Sequence, residues 1–125
     1  MNRVLLIVFF IFSLGALTTS SMASVPEYVY LNGNGMLDNV EDTVLLKKYG
    51  QPEHNFTKPR YKFVGEYYIG IERTYRSTNP ELKNTPIKEM LWHLSDDLNL
   101  TCWLHYKDGK WIVISYVFWP PDALF

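Results

Sequence analysis

The dipeptide Asp108–Gly109 stands between two apolar runs, residues 100–106 and 111–118. A two-residue turn of this composition suits positive φ at both positions, the requirement of a type I′ hairpin. It therefore predicts an antiparallel pair and its register. With Asp108 and Gly109 as the turn, Tyr106 should face Trp111, Leu104 should face Val113 and Cys102 should face Ser115. On the other side of the ribbon His105 should meet Ile112, and Trp103 should meet Ile114. A further strand-like run, residues 87–94, precedes these and connects through Ser95, Asp96, Asp97, Leu98 and Asn99. Together the three runs predict a C-terminal three-stranded meander that ends at Pro120 and Pro121.

Upstream, residues 38–49 carry helix punctuation. Asp38 is a candidate N-cap, and Glu41 three residues on completes a capping-box pattern. Val40, Val44, Leu45 and Tyr49 fall near one face, while Glu41, Asp42, Lys47 and Lys48 supply a wet one. Gly50 is the expected stop, with Pro52 beyond it. Residues 51–60 are polar, contain two prolines and predict a loop. Residues 61–76 alternate Tyr67, Ile69 and Ile71 with Tyr68, Gly70 and Glu72, the pattern of a strand with a bulge near Gly65. Residues 77–86 predict a second loop. The expected fold class is α+β: one main helix packed on an antiparallel β-sheet with the C-terminal three-stranded meander.

The helix end Val44–Leu45–Leu46–Lys47–Lys48–Tyr49–Gly50–Gln51–Pro52 resembles the Gly-x-Pro helix stop of small bacterial envelope domains of the SmpA/OmlA type. The β-lactamase-inhibitor-protein fold is similar in outline. The resemblance implies a helix-then-sheet order and a non-catalytic protein that works by binding other proteins. It carries over no functional residue, and the chain lacks the lipid-acceptor Cys of that family.

Residues 1–23 read as an address. A basic start at Arg3 precedes an apolar run over residues 4–12, and the segment closes on Ser21–Met22–Ala23. That is the order of an export signal with a small-x-small cleavage site, and it is shorter than a bilayer span of about 20 apolar residues needs. The expectation is a cleaved signal peptide, a single globular domain over residues 24–125, and a periplasmic or secreted location without a transmembrane helix. A formal net charge of −1 in 125 residues excludes the basic footprint of a nucleic-acid binder. Cys102 is the one cysteine, which rules out an intramolecular disulfide. Flanked by Thr101 and Trp103, it predicts a small buried hydrophobe. The Asn55–Phe56–Thr57 and Asn99–Leu100–Thr101 triplets match a glycosylation acceptor.

No catalytic constellation emerges from the residues. His54, His93 and His105 lack the tight local spacing of a zinc site. There is no Gly-x-Ser-x-Gly elbow, and Asn32–Gly33–Asn34–Gly35 lacks the spacing of a phosphate loop. The expectation is a chain that is not an enzyme and takes no cofactor and no metal. Its four Trp and nine Tyr exceed what one helix can cover. Trp92, Trp103, Ile114 and Tyr116 are therefore candidate members of an aromatic binding patch, because such side chains give large contact area with a polar handle. The function so predicted is an exported protein-binding domain, an inhibitor, immunity or assembly protein, whose partner is another envelope or extracellular protein. The alternative is a carbohydrate- or small-ligand-binding module that uses Trp and Tyr on an open sheet face.

Overall fold

A computed structural model describes residues 36–125. The expected signal peptide at residues 1–23, the extended segment at 24–31 and the Asn-Gly loop at 32–35 lie outside the described residues.

Among the described residues the chain forms an α+β fold on one antiparallel sheet. The elements run α1 (Asp42–Tyr49), β1 (His54–Pro59), three 3-10 segments (Arg60–Lys62, Glu66–Arg73, Pro80–Leu82), then β2 (Pro86–Ser95), β3 (Leu98–Lys107) and β4 (Lys110–Trp119). The strands lie in the order β1-β2-β3-β4, and each neighbouring pair is antiparallel.

The hairpin turn takes the expected form, with φ of 53° at Asp108 and 81° at Gly109. Tyr106 pairs with Trp111, His105 with Ile112 and Leu104 with Val113. The register then shifts by one: Trp103 pairs with Ser115 and Cys102 with Tyr116, leaving Ile114 as an extra residue. The expected Trp103–Ile114 and Cys102–Ser115 pairs are thereby displaced. The reason is burial. Strict alternation from Val113 would turn Tyr116 and Phe118 away from the core that holds Met90, Trp92, Leu100 and Cys102. The bulge turns them back into it.

Two layers cover the sheet. Leu37 and α1, through Leu45, pack on Met90, Trp92, Leu100, Cys102, Leu104, Val113, Tyr116 and Phe118. On the opposite face Phe63 and Ile71 close over Ile87 and Trp103, flanked by Tyr67, Tyr68 and Tyr75. Each fully buried Ile or Leu contributes about 1.5–3 kcal/mol.

The helix is shorter than its sequence pattern. Asp38 does not cap it; Glu41 occupies the N-cap position, and residues 36–39 form a turn in which Asn39 takes φ of 67°. The cause is competition from the sheet edge. The Asn39 N–H donates to the Val113 carbonyl at 3.0 Å, and the Val113 N–H donates to the Val40 carbonyl at 2.9 Å. Gly50 ends α1 as expected, with φ of 82° and its N–H donating to the Leu46 carbonyl at 2.8 Å. Val44 faces solvent instead of the core.

Two further expectations change. Residues 54–59 form an edge strand where a loop is predicted. Only Phe56 of this strand joins the apolar layer, so it shows no hydrophobic run, and Pro59 is tolerated because it closes an edge strand. Residues 61–76 form 3-10 turns where a strand is predicted. Tyr68 and Ile71, three apart, turn inward together, while Ile69 points outward. The period-two pattern was carried by an exposed residue. Gly65, with φ of 116°, opens the long segment. Gly70 lies so close to Ser115 that a Cβ there would collide with the Ser115 side chain.

Candidate functional site

The four aromatic-patch candidates do not form one exposed surface. Trp92 and Tyr116 lie in the layer under α1, and Trp103 and Ile114 lie in the layer under the 3-10 segments. Trp92 is 2%, Trp103 1% and Tyr116 5% exposed, and Ile114 is half-buried. The cause is the second layer. Eight residues of 3-10 helix, read from sequence as another strand, cover the face that would have been open. The Trp92 Nε1–H donates to the Gly50 carbonyl at 2.9 Å, which ties the helix stop to β2.

A polar network runs through the Trp103 layer. The buried carboxylate of Glu89 accepts from Trp103 Nε1–H at 2.8 Å and from His54 Nε2 at 2.8 Å. The Thr101 hydroxyl meets the Tyr67 hydroxyl and accepts from Trp119 Nε1–H at 2.9 Å. Phe125 folds back onto Tyr67 and Trp119, with ring centroids at 4.9 and 5.7 Å. Burial pushes the Tyr67 phenol well above its ordinary range. Arg60, itself buried, donates to the carbonyls of Tyr75 and Phe63 at 2.7 and 2.9 Å and to Glu72 at 3.0 Å. Hydrogen bonds from Ser77 hold the Glu72 carboxyl below the usual range, and Arg60 adds to this. These groups satisfy one another, so they hold the 3-10 layer in place and present no spare chemistry.

The histidines stay apart. His54 serves Glu89, His93 Nδ1 bonds Asn99 Oδ1 at 2.7 Å, and His105 Nδ1 bonds the Tyr75 hydroxyl at 2.6 Å. Among the described residues no group of three or more His, Cys, Asp or Glu side chains is placed to hold a metal ion. Cys102 is fully buried, and burial pushes its thiol far up. Of the two glycosylation triplets, Asn55 is exposed on edge strand β1, whereas Asn99 is buried between β2 and β4.

Two surface features went unread in the sequence. The first is an apolar rim on the 3-10 layer. Val64 is 78% and Ile69 67% exposed, and they border a hollow of about 120 Å³ floored by Arg60, Phe63 and Tyr68. Tyr61, also exposed, sits in the preceding turn. The second is a groove of about 470 Å³ between the 36–39 turn, the end of the long 3-10 segment and the β3–β4 hairpin. Asp38, Arg73, His105 and Lys107 line it, with Ile112 and Ile114 as its apolar wall. Burial, and then the Lys107 charge, lower the His105 pKa. The groove gathers residues from segments far apart in sequence, so no local spacing could announce it, whereas the rim is built within residues 60–77, a stretch read as loop end and strand. The exposed Ile69 was the one available signal, a large apolar residue on the wrong side of a helical turn.

Among the described residues no helix is long and apolar enough to cross a membrane. Compared with protein-family models, curated proteins and solved structures, the chain shows no match to a known family, sequence or fold.

Proposed function

We propose that the protein is an exported, non-catalytic domain that binds another envelope or extracellular protein through the 3-10 layer. On this reading α1 is its main helix, and β2–β4 are the meander that serves as scaffold. The observation that carries the proposal is the pair Val64 and Ile69. Large aliphatic side chains left this exposed beside a hollow, on a layer whose interior is fully hydrogen-bonded, are the usual mark of a contact surface. Nothing is gained for the fold by keeping them apolar. An inhibitor, immunity or assembly role fits such a surface, and so does the resemblance of the α1 stop to SmpA/OmlA-type domains. Periplasmic or secreted placement belongs to the same proposal and rests on residues 1–23. The alternative aromatic ligand platform finds no support in the burial of Trp92, Trp103 and Tyr116.

Affinity capture from envelope extract tests the proposal. The wild-type chain should retain a reproducible protein partner, and Ile69→Asp should lose it at unchanged thermal stability. Retention of the same partner by both Ile69→Asp and Val64→Asp would place the contact elsewhere.

A further inference from the structure

On the reading that the 3-10 layer binds a protein, we infer that the partner segment is acidic. One of its aliphatic side chains seats in the hollow between Val64 and Ile69, and carboxylates beside it meet a basic surface around the rim. Charge is unevenly placed in this chain. Residues 58–83 span the end of β1 and the three 3-10 segments, and they hold six of the 12 basic side chains and three of the 13 acidic ones. The segment therefore carries +3 in a chain whose formal net charge is −1, which leaves −4 for everything else.

The charges inside the hollow are already used. Arg60 gives its guanidinium to the Tyr75 and Phe63 carbonyls and to Glu72, and Glu72 also accepts from the Ser77 N–H. What remains for a partner lies around the opening. Lys62 and Arg76 are chain neighbours of the lining residues Phe63 and Ser77, one Cα step of about 3.8 Å away. Lys83 is tied to the rim through its carbonyl, which accepts from the Tyr61 N–H at 3.0 Å. All three are exposed and in no ion pair among the described residues. Against them stand Glu66, beside Gly65, and Glu81, while Lys58 and Arg73 add to the basic excess of the segment. Such charges around an apolar contact select an oppositely charged partner and speed its encounter. At about 120 Å³ the hollow falls well short of the roughly 300–1,000 Å³ of small-molecule pockets. It suits one aliphatic side chain, held over Phe63 and Tyr68. A lipid surface, by contrast, is met by a convex apolar patch and has no use for a hollow.

The test is a titration of the purified protein followed by amide NMR shifts, with end-blocked peptides as probes. Glu-Glu-Leu-Glu-Glu should give saturable shifts at Val64 and Ile69, weakened by added salt. Lys-Lys-Leu-Lys-Lys should not bind, and Glu-Glu-Gly-Glu-Glu, which lacks the side chain for the hollow, should bind at least about tenfold more weakly. The double variant Lys62→Glu, Arg76→Glu should weaken the acidic leucine peptide about tenfold or more, and Glu66→Lys should tighten it. Lys47→Glu, on α1 across the sheet, should bind as wild type. Equal binding of the acidic and basic leucine peptides overturns the acidic partner, as does an absence of saturable shifts with the acidic one. Shifts at Val64 and Ile69 with phosphatidylglycerol vesicles and with neither peptide would overturn it in favour of a membrane. If capture still yields a partner that Ile69→Asp loses, such results remove the acidic partner and leave the protein contact standing. If Ile69→Asp and Val64→Asp both keep that partner, the contact itself is lost.

Discussion

Glu89 shows what a single residue decides in this molecule. Its place in the alternation of β2 puts it on the Trp103 face, where a carboxylate out of water is tolerated only with partners. Trp103 Nε1–H and His54 Nε2 supply them, one to each oxygen. Removing the carboxylate leaves the buried indole N–H without an acceptor. Glu89→Ala should therefore cost about 2 kcal/mol or more in urea unfolding, and Glu89→Gln, which keeps an acceptor, clearly less. Equal losses in the two would mean that packing alone is at stake. The burial of Trp103 was not foreseen, because its cover comes from residues 61–76, read as a further strand, and its hydrogen-bond partner is a carboxylate on the neighbouring strand. Cys102 was legible, since a small thiol between bulky apolar neighbours has nowhere else to go.

Among elements, those with a local chemical cause were read correctly and those with a tertiary cause were not. The Asp108–Gly109 turn and the Gly50 stop need positive φ, a demand the residues themselves announce. The first turn of the expected helix was lost to hydrogen bonds with Val113, a partner more than seventy positions away. β1 is polar because an edge strand needs to bury only one or two side chains. The long 3-10 segment carried a period-two alternation to which the exposed Ile69 contributed, so its sequence pointed to a strand. Its seat on the sheet depends on Gly70, which lets the backbone approach Ser115. Gly70→Ala should lower stability by about 1 kcal/mol or more in a denaturant titration. Adding Ser115→Ala should recover part of the loss, because the colliding hydroxyl is then gone. No recovery would trace the loss to the glycine's own backbone.

For the molecule as a whole, burial of titratable groups sets a window of stability. Cys102 and Tyr67 have pKa values raised by burial above their ordinary 9.0 and 10.0. Above those values the unfolded chain gives up protons that the folded chain keeps, so stability must fall as pH rises through 9 to 11. His105 works at the other end. Its pKa is lowered from 6.5, so as pH drops below that value the unfolded chain takes up a proton the folded one resists, and stability falls again. Thermal unfolding across pH should show both limbs. Cys102→Ala should soften the alkaline limb, measured against its own value at pH 7. A flat profile through pH 11 would contradict the burial of both groups.

The bulge in β4 also bears on how this chain can change length. Because Ile114 is the unpaired extra residue, the strand consists of two halves, each with its own assignment of sides to faces. Losing that one residue would join the halves into an ordinary ladder without turning Tyr116 or Phe118 out of the core. The same deletion two positions further on would invert the remainder of the strand. Residue 114 is therefore the place in the sheet where descendants of this sequence could differ in length by one and keep the same interior. The part that would change is the wall of the groove.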